Sequence, residues 1–174
     1  ANLISSGAVA LNAETGIGTA ASPIRTQIAS LAAATASGDI YIQNTGSLTV
    51  TTVNTDTVGL TASGGDIVVT TDGSLTILQP IATTGSGAIR LTVGGDLTAS
   101  AGLSHGTGGT LIDLAGTGLI SGMISGAGDL TKNGAGSLEL SGANTYAGTT
   151  YLNAGTIIVS HADGLGSTAG GTIV

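Results

Sequence analysis

The stretches GDIYIQNTGSLTV at residues 38–50 and GDIVVTTDGSLTI at residues 65–77 decide the fold of this chain. Each begins with Gly-Asp and an aliphatic residue, continues for five residues, and ends with Gly-Ser-Leu-Thr and a second aliphatic residue. A third copy, GDLTKNGAGSLEL, occupies residues 128–140, and a shorter Gly-Asp-Leu stands at residues 95–97. The spacing between the starts of successive copies increases slightly along the chain. An internal repeat of roughly 30 residues predicts a solenoid whose coils tolerate insertions.

Inside each copy, apolar and polar residues alternate at the spacing of two that is typical of a β-strand. The apolar pairs that share a face are Ile40 with Ile42, Leu48 with Val50, Ile67 with Val69, and Leu75 with Ile77. Similar short runs follow along the chain: VGLTA, AIRLTV, TLIDL, TTYLN and TIIVS. We therefore expect an all-β parallel β-helix with about three short strands per coil. Because stacked strands lie about 4.8 Å apart, roughly six coils would form a rod about 30 Å tall.

The composition agrees with such a solenoid and excludes several other classes of protein. Of the 174 residues, 41% are hydrophobic and 31 are Gly, with no Phe, Trp or Cys. This apolar content disfavours disorder, and two prolines without a Gly at every third position exclude collagen. The net charge is −7, and the basic residues are only Arg25, Arg90 and Lys132. We therefore expect no binding to nucleic acid or to an anionic membrane surface, since both need a basic patch.

The N-terminal sequence ANLISSGAVA lacks the basic region and apolar stretch of a signal peptide. There is no initiator Met, and no run approaches the ~18 apolar residues of a membrane-spanning helix. We therefore expect the chain to be a segment of a longer protein.

One stretch, ASPIRTQIASLAAATASGD at residues 21–39, has features of a helix. Ser22 could cap it, and Pro23 suits the first helical position. The preceding GIGTAA at residues 16–21, with Asp39 about 20 residues later, is close to a dinucleotide-binding fingerprint. The alternative is one or two irregular coils, in which AVALNA and IASLAA are strands and Pro23 lies at a corner. We favour the coils, because no βα alternation follows.

The stretch GAGDLTKNGAGSLELSGANTYAGTTYLNAG at residues 126–155 strongly resembles the passenger-associated repeat of bacterial autotransporters. The positions that carry the resemblance are Gly126, Gly128, Leu130, Lys132, Gly134, Gly136, Leu138, Leu140, Ser141, Gly142, Asn144, Tyr146, Gly148, Thr150, Asn153 and Gly155. Ile157 stands where the family has Leu, which is a conservative change. Residues 16–48 are more loosely similar to filamentous-haemagglutinin-type adhesins.

These resemblances imply a right-handed parallel β-helix that is secreted and displayed on the surface of a Gram-negative cell. They imply export through an outer-membrane translocator barrel, and a repeat that assists folding and secretion of the passenger. The function that follows is a structural and adhesive stalk rather than an enzyme, with no cofactor. Its expected partners are the neighbouring rungs of a longer chain and a surface ligand that the sequence does not identify. A fragment is also expected to associate end to end, because its end strands have unpaired edges.

The resemblances also suggest how the chain is organised. We expect irregular, haemagglutinin-like coils at residues 1–37 and regular β-helix coils at residues 38–125. The autotransporter repeat is then expected to continue the same β-helix over residues 126–174.

Four aspartates, Asp39, Asp66, Asp96 and Asp129, follow the Gly of each repeat. If the coils stack in register, these residues form an acidic column, for which Ca²⁺ is the natural ligand because it prefers carboxylate oxygens. The favoured alternative is turn chemistry, in which each carboxylate accepts nearby backbone N–H groups and faces water.

Catalytic candidates are few. His105 and His161 lie in turn-like sequences, and we expect both on surface loops. A glycoside hydrolase needs two carboxylates that face each other. Glu139 and Asp113 are the candidates, although their spacing does not support such a pair. A polysaccharide lyase or hydrolase therefore stays the alternative function, because β-helices host such enzymes.

Ice binding is a further alternative, since Thr is abundant. It requires Thr-x-Thr on each coil, and the pattern of Thr49 and Thr51 fails in the next repeat, where Leu78 replaces the second Thr.

Overall fold

The computed structural model describes residues 2–5 and 7–174, and this part of the chain is built from β-strands with no helix. The strands are β1 Asn2–Ile4, β2 Ala8–Ala13, β3 Ile24–Gln27, β4 Ser30–Asn44, β5 Leu48–Val50, β6 Leu60–Thr71, β7 Leu75–Ile77, β8 Ile81–Thr83, β9 Ile89–Val93, β10 Leu97–Ala99, β11 Leu103–His105, β12 Thr110–Leu114, β13 Thr117–Ile120, β14 Ile124–Gly126, β15 Leu130–Asn133, β16 Ser137–Leu140, β17 Thr150–Leu152, β18 Thr156–Val159 and β19 Thr172–Ile173. No helix in these residues is long and apolar enough to cross a membrane.

The strands pair in parallel with the equivalent strands of the next coil and so form three faces. Face 1 contains the later parts of β4 and β6, then β9, β12, β15, β17 and β19. Face 2 contains β5, β7, β10, β13, β16 and β18. Face 3 contains the middle of β4, the start of β6, and then β8, β11 and β14. The predicted all-β parallel solenoid is confirmed.

The solenoid has about 8 turns, so the expectation of roughly six coils is too low. The first regular coil runs from Ile40 to its partner Ile67. Later coils are shorter, as the steps from Ile67 to its partner Ile89 and from Leu130 to its partner Thr150 show. The long coil contains an excursion closed by an antiparallel bridge between Thr52 and Val58. A repeat length measured from that coil therefore overestimates the length of the other coils.

The aliphatic side chains fill the centre of the solenoid in stacked columns. The predicted inward pairs are all buried, at no more than 1% exposure. One column runs through Ile40, Ile67, Ile89, Thr110 and Leu130 on face 1. Each fully buried Leu or Ile contributes about 1.5–3 kcal/mol relative to an exposed one. A core this narrow is stabilised mainly by the repetition of such aliphatic contributions.

The stretch with helical features is extended, so the possible helical excursion is wrong. Its residues form β3 and the first part of β4, as the alternative of irregular coils predicts. Strand partners on both sides explain this result: Leu31 pairs with Val9 in one coil and with Val50 in the next. Tertiary pairing overrides a weak helical propensity. GIGTAA forms a corner, with Ile17 bridged to Ile40, so the strand–turn–helix context of a dinucleotide site is absent from this described segment.

Candidate functional site

The four aspartates of the repeat do not form one column. Asp39 and Asp66 lie in adjacent coils, because their neighbours Ile40 and Ile67 pair. Asp129 lies at the same corner, but Ala88 and Gly109 occupy the coils between. Asp96 stands at another corner, since Leu97 pairs with Leu75, and it therefore stacks on Ser74. The shorter coils after residue 67 cause this shift, so the predicted column of four acids is wrong.

Each of these carboxylates accepts a hydrogen bond from a backbone N–H of the next coil. The N···Oδ1 distances are 2.8 Å from Asp66 to Asp39, 2.9 Å from Ala88 to Asp66, 2.8 Å from Thr117 to Asp96 and 2.7 Å from Thr149 to Asp129. The backbone and hydroxyl of Thr117 lower the pKa of Asp96. Within residues 2–5 and 7–174, no group of three or more His, Cys, Asp and Glu side chains is placed to hold a metal ion. The carboxylates therefore act as ties between coils, and a Ca²⁺ site stays a prediction.

His105 is buried, so its predicted place on a surface loop is wrong. It ends β11 with its ring inside the solenoid, at 3% exposure. Its Nδ1 lies 2.9 Å from the carbonyl of Gly106, whereas Nε2 has no hydrogen-bond partner among the described atoms. Burial lowers the pKa of His105, although the Gly106 contact and the charge of Asp129 act in the opposite direction. The preceding Ser104 is exposed, so the two side chains form no catalytic pair.

The other catalytic candidates are also separated. His161 is exposed in the loop after β18, as predicted, and its Nδ1 accepts a hydrogen bond from the backbone of Asp163 at 3.0 Å. Glu139 belongs to β16 on face 2, whereas Asp113 belongs to β12 on face 1. The structure does not bring these two carboxylates to one groove.

Lys132 is the most unusual residue of the interior. It occupies an inward position of β15 between Ile112 and Leu152, and its side chain is fully buried. Nζ donates to the carbonyl oxygens of Asn133 at 2.5 Å, Gly134 at 2.9 Å and Ala154 at 3.5 Å. Burial lowers the pKa of Lys132, and the charge of Asp113 partly opposes that effect. The ammonium group thus caps carbonyls from two successive coils where the chain turns from face 1 to face 2.

Asn144 links three coils. Its Oδ1 accepts the backbone N–H of Ile124 at 2.7 Å in the coil before, and its Nδ2 donates to the carbonyl of Gly164 at 2.7 Å in the coil after. Its own backbone N–H donates to the carbonyl of Asp163 at 3.2 Å. The side chain is 2% exposed. This buried amide therefore adds to the backbone hydrogen bonds that Thr145 and Ala147 make to the coil before, in the irregular stretch between β16 and β17.

Tyr146 fills the core where this irregular stretch has no strand. The side chain is fully buried, and its hydroxyl lies 2.5 Å from Oγ1 of Thr150. Burial raises the pKa of Tyr146, and the Thr150 contact lowers it in part. Gly166 packs against the ring, since an added Cβ there would lie 2.9 Å from Cζ. Asn144 and Tyr146 lie outside the strands, and the sequence did not reveal that they are part of the core.

All seven glycines of the motif stand where one coil closely approaches the next. A Cβ at Gly136 would lie 2.0 Å from the carbonyl oxygen of Gly116, and a Cβ at Gly142 would lie 2.4 Å from that of Gly122. No side chain fits such a gap. Equally close contacts with the coil below occur at Gly126, Gly128, Gly134, Gly148 and Gly155.

The other motif residues have simpler roles. Leu130, Leu138 and Leu140 are fully buried in the core. Ser141 lies at a corner, with Oγ 3.5 Å from the carbonyl of Ile120. Asn153 is exposed, and its Nδ2 donates to Oδ1 of Asn133 at 2.9 Å.

The polar interior that Lys132, Asn144 and Thr150 create coincides with the segment that a comparison with known families identifies. Residues 130–159 match the family model Passenger-associated-transport-repeat. The match confirms the resemblance to the autotransporter passenger repeat, and the matched residues span β15 to β18. No curated protein and no solved structure matches the chain significantly.

The passenger-associated repeat and the parallel solenoid are together consistent with a segment of an autotransporter passenger. The family implies a secreted passenger, which agrees with a secreted or surface location, and it suggests a structural domain. In this chain, the repeat consists of buried polar side chains that hydrogen-bond to backbone groups and of glycines at close contacts between coils.

Proposed function

We propose that this chain is a surface-exposed structural and adhesive passenger segment of a secreted Gram-negative protein. It acts as a rigid stalk, and its passenger-associated repeat assists folding during secretion. The observation that carries the proposal is the pair of hydrogen bonds by which Asn144 joins Ile124 to Gly164 across three coils.

The repeat is suited to fold first because its buried polar side chains bind neighbouring coils in addition to the pairing of strands. A new coil normally needs the edge strand of a finished coil beneath it. Asn144 and Lys132 provide additional contacts between coils, through an amide and an ammonium group that reach backbone atoms in neighbouring coils. A segment that folds first on the outer side of the membrane would then offer an edge to each following coil. An outer-membrane translocator is the partner that this role requires.

Secretion of the full-length protein tests the proposal. In cells that express it, Asn144→Ala and Lys132→Met are expected to lower the amount of passenger at the surface and to increase the amount retained in the periplasm. Asn153→Ala is the matched control, because Asn153 belongs to the same motif but is exposed. Normal surface levels of both core variants would contradict the folding role.

The alternative is a polysaccharide lyase or hydrolase segment, as β-helices host such enzymes. Release of new reducing ends or unsaturated products from polygalacturonate and related glycans would favour that alternative. A stalk produces neither.

A further inference from the structure

The outward-facing Arg and Tyr side chains of the described residues lie on one of the three faces. Arg25 and Arg90 are both exposed, and each lies on an outward position of face 1, as the pairing of Arg25 with Gln43 and of Arg90 with Val68 requires. The remaining basic residue, Lys132, is buried. Tyr41 and Tyr151 are half-buried on outward positions of the same face, and the third tyrosine is in the core. The described parts of faces 2 and 3 have neither group.

A cleft lies at the Tyr41 end of face 1. The loop that contains Ala20 and Pro23 overhangs the outer surface of the strands and leaves a cavity of about 280 Å³. Tyr41, Gln43, Val68 and Thr70 line the opposite side. The loop has a defined shape, since the backbones of Thr19 and Ser22 exchange hydrogen bonds at 3.0 and 3.1 Å. The cleft therefore has a defined wall, and its opposite side carries both apolar and polar side chains.

The charged side chains near the cleft are of both signs. Nε of Arg90 lies 3.6 Å from Oδ2 of Asp66, so this cation is already paired, and Arg25 lies beside Gln43 on the neighbouring strand. Burial and the charges of Asp39 and Asp66 raise the pKa of Tyr41, and Arg90 opposes them. Carboxylates and guanidinium groups therefore both stand near the cleft, which favours an uncharged ligand over an anionic one on a chain of net charge −7.

We propose that this cleft binds a pyranose ring of an uncharged glycan. A sugar ring offers an apolar C–H face to the ring of Tyr41, and its hydroxyls are both donors and acceptors, as are the Gln43 amide and the Thr70 hydroxyl. Convergent polar groups beside an apolar surface in a pre-formed cleft are the usual composition of a small-molecule site. The inference names the ligand class of the adhesive role, and therefore rests on that part of the proposed function.

An array of immobilised oligosaccharides, followed by calorimetric titration of the best uncharged binder, tests the proposal on the 174-residue chain. The array contains glucans, mannans and galactans beside sialylated, sulfated and amino-sugar glycans. We expect binding to uncharged members. We expect Tyr41→Ala and Gln43→Ala each to weaken binding about tenfold or more, as truncation of a central contact does. Tyr41→Phe keeps the ring and is expected to bind within about threefold of the unchanged chain.

Tyr151→Ala is the matched control, because Tyr151 is an outward tyrosine of the same face outside the cleft. It is expected to leave binding unchanged, and circular dichroism checks that every variant is folded. Binding confined to charged glycans, no binding of any uncharged glycan at millimolar concentration, or equal loss in Tyr151→Ala and Tyr41→Ala would each overturn the proposal. Loss of the folding role would lower secretion of the protein. If Tyr41→Ala loses glycan binding but is secreted at normal levels, the variant affects the binding site and not the folding role.

Discussion

At the scale of single residues, the distinctive feature of this molecule is a set of polar side chains inside an aliphatic core. Lys132, Asn144 and His105 all lie within the solenoid at 3% exposure or less. Lys132 and Asn144 satisfy backbone groups that the corners leave without ladder partners. A buried carbonyl or N–H without a partner costs about 1–3 kcal/mol, so the corners need these side chains as hydrogen-bond partners.

Replacement of Lys132 by Met tests the cap at the corner between faces 1 and 2. Hydrogen bonds to a charged group are worth about 1.5–3 kcal/mol each, but the ammonium loses hydration when it is buried. Because the variant leaves the carbonyls of Asn133 and Gly134 without their donor, we expect it to be destabilised by about 2 kcal/mol. Urea denaturation followed by circular dichroism measures the change.

The control for this variant is Leu130→Met, a change of similar volume at the preceding inward position of β15, which should cost less than about 1.5 kcal/mol. A Lys132→Met variant more stable than the unchanged chain would show that desolvation outweighs the three hydrogen bonds.

Protonation of His105 is expected to destabilise the fold in acid. Its pKa is lowered in the folded chain, so below about pH 6.5 the unfolded chain binds the proton more readily than the folded chain does. The contribution of neutral His105 is therefore complete above about pH 6.5 and is lost as the pH falls toward the folded pKa. Each unit of pKa depression is worth about 1.4 kcal/mol. Unfolding free energies on either side of this pH, at about pH 7.5 and about pH 5, measure the effect.

His105→Gln should lose most of this pH dependence, whereas His161→Gln should keep it, because His161 is exposed. An equal response of the two variants to pH would show that His105 is not the group responsible for the loss of stability in acid.

At the scale of elements, the corners determine how closely successive coils stack. Gly136 is the tightest of the motif positions, with 2.0 Å between a hypothetical Cβ and the carbonyl oxygen of Gly116. Outward strand residues tolerate substitution because their side chains extend into solvent, but this corner has no free volume.

Gly136→Ala is therefore expected to cost about 3 kcal/mol or more, since overpacking here can be relieved only by separating two coils. Gly171→Ala is the matched control, because nothing lies within 4 Å of its added Cβ. We expect thermal unfolding to show a clear decrease in Tm for Gly136→Ala alone. Equal Tm values for the two variants would mean that the coils are less tightly stacked than described.

The strands could be predicted from the sequence, whereas the register and the polar interior could not. Alternation identified Ile67 with Val69 and Leu75 with Ile77, because an inward side chain at every second position is a local property. Register depends on the length of each coil, so Gly95-Asp96 could not be assigned to the second half of the repeat until its coil was known to be short. The burial of Lys132 had a local signal, since it follows Leu130 at the inward spacing. The burial of His105 had a similar signal after Leu103, but the turn-like sequence around it obscured the alternation.

At the scale of the whole molecule, the solenoid is one continuous ladder of parallel pairs whose last strands are apolar on the outside. Ile158 of β18 is 47% exposed and Ile173 of β19 is 54% exposed. β19 pairs with β17, and β18 pairs with β16. Apolar residues on an open edge are a template for another strand.

We expect the 174-residue chain to self-associate through this edge as its concentration rises. Sedimentation velocity between micromolar and millimolar concentration measures the association. Ile173→Lys should reduce it, because a charge on an edge strand opposes pairing. Leu78→Lys should not reduce it, since Leu78 is equally exposed at 50% but lies at a corner on the side of the solenoid. A monomer at all concentrations would contradict the expectation.

We infer that buried polar side chains of the passenger-associated repeat tie successive coils together, and the backbone amide of Ile124 reports on one of these ties. The N–H of Ile124 donates to the side chain of Asn144. Native-state hydrogen exchange measured by NMR should show this amide to be slow in the unchanged chain and in Asn153→Ala, but fast in Asn144→Ala. A fast Ile124 amide in the unchanged chain, or a slow one in Asn144→Ala, would contradict the claim.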